Sequence, residues 1–341
     1  MKARCIYGGA LAAALLALAA GPALPNPAPA PDLVKRATFV ADTRNWSGQG
    51  VWEGSQTNIG IQWLSDKALL HNRFTGKPNH QQRVICRLDL RTGPDQPLPG
   101  LSEAMDELGP EVIDSDAPSP DGRWLLISDR WGDCLLAAVN GSRRYQYPSL
   151  DTGCYRSVFW MPDRRHWIEY FWDGGNYLVL HDVRHPGLSR SLPVGGKAGL
   201  LSSLGAVFSV SRAIAIVESD EDSGRPVHSV SVVQFSLDGS RPTRKLATIH
   251  APHDTSDFDC SLSPKADRIA WDVAVRLPGD RCRSEVWVCD VDGRHMRRVG
   301  SIIRYGIRPD ESPDYVGVKW MPGDQRLWFT WDDRLYTIGA R

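Results

Sequence analysis

The sequence predicts an all-β fold: a β-propeller of about six four-stranded antiparallel blades, closed by a strand from the N-terminal side. Three observations carry this reading. Short turn motifs recur at blade-length intervals, a strand-length apolar run stands behind each, and the composition favours strands. The chain has 341 residues, 42% of them hydrophobic and 23% charged, which suffices for a large core in one or two domains. Thirteen Trp accompany five Met, and long Ala/Leu/Glu/Lys stretches are missing beyond the first 25 residues. Such a balance suits pleated, half-buried surfaces.

Taken in order, the chain begins with Lys2 and Arg4, an apolar run over residues 6–20, and small residues over 17–23. This pattern predicts a secretory signal over residues 1–23. The run is about 15 residues, short of the roughly 20 that a spanning helix needs, so the chain is not expected to be an integral membrane protein. Residues 24–34 are Pro-rich and read as an extended spacer. The propeller is expected over residues 35–341.

The anchors are Trp63-Leu64-Ser65-Asp66, Pro118-Ser119-Pro120-Asp121, Trp160-Met161-Pro162-Asp163, Phe208-Ser209-Val210-Ser211, Leu262-Ser263-Pro264-Lys265 and Trp320-Met321-Pro322-Gly323. Their last residues are spaced by 55, 42, 48, 54 and 58, the length of one blade plus variable loops. Behind them lie apolar runs at 68–74, 124–128, 167–172, 213–217, 269–275 and 327–331. A further strand follows at 84–90, 177–183, 229–237, 285–291 and 334–338. Six positions before each origin stand Gly60, Ser115, Ser157, Gly205, Asp259 and Gly317, small in five cases of six, as crowding of innermost strands would favour. Within the turns, Asp121 and Asp292 can accept hydrogen bonds from following amides, while Gly122 and Gly293 take a left-handed backbone cheaply.

Residues 119–133, beginning Ser-Pro-Asp-Gly-Arg-Trp, and 285–294, ending Asp-Val-Asp-Gly-Arg, resemble the propeller repeats of TolB proteins and of prolyl oligopeptidases. Ser211 and Lys265 depart from the turn Asp of that pattern, and the sixth unit lacks its Asp-Gly turn. The resemblance implies a propeller. It implies no peptidase activity, because a Gly-x-Ser-x-Gly elbow is missing from the chain. The last unit ends at its third strand, and residues 35–42 are the expected donor of a fourth, which would close the ring and cover an exposed edge.

Charge is balanced at 40 basic and 40 acidic residues, which argues against nucleic acid as a partner. Six Cys follow the signal, permitting disulfides in an exported protein. Cys260 with Cys282 or Cys289 is the expected bridge, and Cys134 with Cys154 a weaker one. Asp114, Asp116, Asp257, Asp259 and Asp314, with Arg156, gather near the starts of innermost strands, at one mouth of the channel. Convergent carboxylates there could bind a cationic group or Ca²⁺, although no cofactor is required by any motif. Residues 219–224 superficially suggest a calcium loop but lack the downstream Glu. His250-x-x-His253 and His181-x-x-x-His185 have spacings that a metal could use. The expected function is a non-catalytic, monomeric binding module of the cell envelope or medium, with a protein, peptide or glycan partner. The alternative is a hydrolase or lyase with an acidic channel-mouth site.

Overall fold

The structure, a computed structural model, describes residues 32–44, 46, 61–75, 82–108, 112–129, 134–147, 155–172, 177–194, 200–201, 204–218, 229–253, 258–305 and 315–340. A short helix, α1 (Asp32–Arg36), leads into strand β1 (Thr38–Asp42). Blade 1 comprises β2 (Gln62–Ser65), β3 (Ala68–Thr75), β4 (Gln82–Asp89) and β5 (Asp95–Pro97), and is followed by helix α2 (Pro99–Leu108). Blade 2 comprises β6 (Val112–Pro118), β7 (Trp124–Asp129), β8 (Cys134–Ala138) and β9 (Arg144–Tyr147). Blade 3 holds β10 (Tyr155–Trp160), β11 (His166–Trp172), β12 (Tyr177–Asp182) and β13 (Ser189–Leu192). Blade 4 holds β14 (Leu204–Ser209), β15 (Arg212–Glu218), β16 (Ser229–Phe235) and β17 (Arg244–His250). Blade 5 holds β18 (Phe258–Leu262), β19 (Arg268–Leu277), β20 (Arg281–Asp290) and β21 (Arg297–Tyr305). Blade 6 adds β22 (Lys319–Trp320), β23 (Arg326–Trp331) and β24 (Arg334–Gly339).

Each blade is a four-stranded antiparallel sheet, and the sixth has the order β1-β24-β23-β22. The N-terminal strand therefore supplies the outer edge of the last blade, in register from Thr38 opposite Thr337 to Asp42 opposite Arg334. Closure removes the free edge that β24 would otherwise present. Burial falls from the middle of a blade outward. Six consecutive residues of β19 are buried, whereas β17 buries only one of its seven, because inner strands are packed on both faces by neighbouring blades and outer ones meet water.

The core is a ring of inter-blade clusters. Leu64, Leu70 and Ile85 of blade 1 pack on Leu125, Ile127 and Leu135 of blade 2. Leu126 and Leu136 of blade 2 meet Trp167 of blade 3, whose Ile168 and Leu178 join Val207 and Phe235 of blade 4. Ile214 and Val232 continue to Trp271 and Ile269 of blade 5, and Val286 and Val288 to Phe329 and Leu327 of blade 6. Met321 and Leu335 then pack against Trp63 and Leu69 of blade 1. The circle is complete.

The anchors behave as their chemistry dictates. Ser119 Oγ donates to Asp121 Oδ1 at 2.7 Å and accepts the Trp124 amide at 3.0 Å, while the Arg123 amide donates to Asp121 at 3.2 Å. Ser263 repeats the pattern with Asp267 and the Arg268 amide. Gly122 has φ +64°, and a Cβ there would lie 2.9 Å from the Leu64 carbonyl oxygen. Gly293 has φ +84°, and the Arg294 amide donates to Asp292 at 3.0 Å.

Three differences from the sequence reading have physical causes. Leu33, placed in the spacer, is fully buried, seated against Gly300 and the apolar residues of blades 5 and 6. The small inner positions do not share one reason: a Cβ at Gly205 would meet Leu262 at 2.6 Å, but at Gly317 it would meet nothing within 4 Å, and φ +72° is what demands glycine there. The expected disulfide does not form, since Cys260, Cys282 and Cys289 are thiols. Cys260 lies opposite Trp271 on β19, whereas Cys289 lies opposite Ile269 of that same strand from the other side. An intervening strand and a two-residue offset along it put them roughly 11–12 Å apart, beyond disulfide reach. Cys282 is opposite Arg276, further along. The side chain of Cys134 and all of Cys154 lie outside the described residues.

Among the described residues, no helix is long and apolar enough to cross a membrane.

Candidate functional site at the channel mouth

Asp259 is the second residue of β18 and pairs in register with Asp272 of β19. Directly opposed residues of an antiparallel pair project from the same face, with Cβ atoms about 4.5–5.5 Å apart. Two carboxyl groups are thereby set side by side, near the end of the innermost strand where the sequence places the mouth. Their surroundings differ. Asp259 is exposed and Asp272 is 3% exposed.

Asp272 is enclosed by the approach of blade 6. The amide of Gly317, just before β22, donates to Asp272 Oδ2 at 2.7 Å, and Oδ1 has no hydrogen-bond partner among the described residues. Burial is the largest influence on this carboxyl and favours the neutral form. The amides of Gly317, Val318 and Val316 oppose it, while the charge of Asp259 reinforces it, and the outcome is a value pushed up to about 6. Such a group exchanges its proton near neutrality. An exposed carboxylate beside a buried one pushed up to about 6 has the composition from which acid–base pairs are built.

Of the residues expected at the mouth, Asp259 is thus brought to a second carboxyl that the sequence reading missed. A signal for Asp272 existed: it is the one charge in the apolar stretch Ile269-Ala-Trp-Asp-Val-Ala-Val275. Asp114, Asp116 and Arg156 lie on the inner strands β6 and β10, so the backbone carries them to the channel side. Their side chains, and all of Asp257 and Asp314, lie outside the described residues, as do residues 219–224.

Three of the four histidines singled out by spacing, His181, His185 and His253, are engaged by carboxylates. His253 Nε2 is 2.6 Å from Glu285 Oε2, in a group with Trp287, Arg283 and Arg298. His181 Nε2 is 3.0 Å from buried Glu169, and His185 Nδ1 is 3.0 Å from Asp182. A different set brings three ligand types together: His71, Cys86 and Asp95 offer nitrogen, sulfur and oxygen atoms all within 4.8 Å of one another. These residues fit a metal ion.

On the face opposite the mouth, a cleft of about 480 Å³ lies between the turns of blades 2 and 3. Its guanidinium groups include Arg123 and Arg165, which are paired with Asp121 and Asp182.

No family model matches the chain, and no curated protein matches it. Solved structures do. An oligogalacturonate lyase in complex with manganese is similar at TM-score 0.44 and 14% identity, over 84% of this chain and 90% of that one. An oligogalacturonate lyase from Vibrio parahaemolyticus gives 0.48 and 10%, over 89% and 93%. An acylaminoacyl peptidase gives 0.42 and 11%, over 84% of this chain and 46% of that one. Likeness of this degree concerns the propeller fold and leaves a TolB-like kinship unsupported. The expectation of a non-catalytic binding module is corrected in favour of its alternative on the geometry of the mouth, where an exposed carboxylate stands opposite a buried carboxyl pushed up to about 6.

Proposed function

We propose that this protein is an exported hydrolase or lyase that works by acid–base chemistry at the channel mouth. The observation that carries the reading is the Asp259–Asp272 pair, one carboxyl exposed to substrate and its neighbour buried and pushed up to about 6. Asp259 is the group that touches substrate and takes or gives its proton. Asp272 is a positioning residue: held by the Gly317 amide, it changes protonation in response to the charge beside it and so keeps the pair at one net charge through the cycle. Asp114, Asp116, Asp257, Asp314 and Arg156 are the proposed binding residues of the mouth, and a cation such as Ca²⁺ is among the ligands proposed for them. Export is inferred from the signal-like residues 1–23.

The experiment is a turnover screen of the purified protein against acidic and neutral oligosaccharides, oligogalacturonate among them, and peptides, each with and without a chelator. Asp259→Asn is expected to lower kcat by about 10²–10⁴-fold. Asp272→Asn should remove the inflection near pH 6 from the pH–rate profile while leaving KM within a few-fold. Activity undiminished in the double variant would overturn the site, and loss on chelation alone would assign the step to a bound cation.

A further inference from the structure

We propose that blade 1 contains a Zn²⁺ site formed by His71, Cys86 and Asp95, which ties the outer strand β5 to β3 and β4. The site lies away from the channel-mouth pair of blade 5 and is independent of it. Its construction follows from strand register. His71 on β3 stands opposite Cys86 on β4, and β5 crosses β4 with Asp95 opposite Leu88, two residues along from Cys86. Three neighbouring strands thus deliver an imidazole, a thiol and a carboxyl to one spot. His71 and Cys86 are each 1% exposed, and the Asp95 side chain is 21% exposed. The indole of Trp46 stacks on the His71 ring at 3.8 Å, 16° from parallel, and covers it.

The hydrogen-bond inventory of His71 points to a cation. Its Nε2 is 2.9 Å from Asp95 Oδ1, and its Nδ1 is 3.4 Å from the Asn72 carbonyl oxygen. Both ring nitrogens face oxygen acceptors, yet a neutral imidazole donates at one nitrogen only. Either tautomer leaves a lone pair directed at an oxygen. Both contacts are served either by an imidazolium paired with Asp95 or by a metal at Nε2 with Nδ1–H donated to the Asn72 carbonyl, the usual support of a ligating histidine. The Cys86 sulfur converging on the same spot favours the metal. The Cys86 thiol is poorly served by its own contact, a Val84 carbonyl at 3.9 Å. Nitrogen, thiolate and carboxylate ligands together suit Zn²⁺, whose bonds of about 2.0–2.3 Å to each fit within the observed spacing after small shifts. Solvent reaches the site on the Asp95 side, so water takes the fourth position. On binding, Cys86 Sγ gives up its proton to solvent and forms the bond to zinc.

The test uses the whole reduced protein, stripped with chelator and titrated with Co²⁺ as a spectroscopic stand-in for Zn²⁺. The expected result is one thiolate-bound equivalent, with a thiolate-to-cobalt charge-transfer band and the strong visible bands of a four-coordinate ion. Cys86→Ser should abolish the charge-transfer band. Asp95→Asn, at the partly exposed ligand, should weaken binding about tenfold or more and cancel the rise in Tm that Zn²⁺ gives the wild type. No charge-transfer band in the wild type, or a band that persists in Cys86→Ser, overturns the site. Should Cys86→Ser fail to fold, an unchanged affinity in Asp95→Asn does so instead. Asp259→Asn is expected to bind Co²⁺ normally, which separates failure here from failure of the channel-mouth reading.

Discussion

Asp272 shows how one residue's place in a sheet sets its chemistry. Its carboxyl is raised from 3.8 to about 6, so between those values the folded chain keeps a proton that the unfolded chain has released. Stability then falls as pH rises through that window and is level above it, a difference of about 3 kcal/mol at most. Glu285 has the opposite sign. Burial pushes it up, but hydrogen bonds from His253 and Trp287 and the charge of Arg283 hold it below its ordinary value, so its contribution is present above the usual carboxylate range and lost as pH falls. Subtracting Asp272→Asn from wild type in urea titrations from about pH 4 to pH 7 isolates the first effect. A difference that does not vary across those pH values would refute it. Gly122 gives a second test at this scale. Gly122→Ala meets both a positive φ and the Leu64 carbonyl, whereas Gly93→Ala meets φ +85° with nothing within 4 Å. Expected losses are about 2–3 kcal/mol for Gly122→Ala and about 1 kcal/mol for Gly93→Ala, read from denaturant midpoints. Equal losses would mean that the contact with blade 1 is immaterial.

At the scale of elements, turns were legible in the sequence and their packing was not. The second strands, foreseen over 68–74 and 124–128, are Ala68–Thr75 and Trp124–Asp129, because local apolar patterning and turn chemistry both act within a few residues. Helix α2 has no comparable local signal. Its Pro-Gly-Leu-Ser start suggests a loop, and it is held by burial of Leu101 and Ala104 over blades 1 and 2 and by Ser102 Oγ accepting the Ile85 amide at 3.0 Å, contacts that no local rule supplies. Helix α1 is too short to persist alone and is fastened by Leu33. Leu33→Ala should cost about 3 kcal/mol, seen as a lower Tm. A change below about 0.5 kcal/mol would show that α1 does not contribute to the fold.

For the whole molecule, the decisive contact joins its two ends. A chain starting after Asp42 loses Leu33 and β1 together, leaving β24 as a bare edge and opening the cluster between blades 6 and 1 on the side of Val40 and Ala41. Such a chain is expected to aggregate or pair through that edge, which light scattering during size-exclusion chromatography would detect. A monodisperse monomer with the wild-type Tm would count against closure as the source of stability. Blade number, strand periods and the Ser-Pro-Asp-Gly turn at Ser119 followed from interactions among residues close in the chain, so sequence alone settled them. The partners of Asp259, the separation of Cys260 from Cys289, and the meeting of His71, Cys86 and Asp95 depend on which residues stand opposite each other across strands. Register and blade contacts are products of long-range packing, and only the tertiary structure decided them.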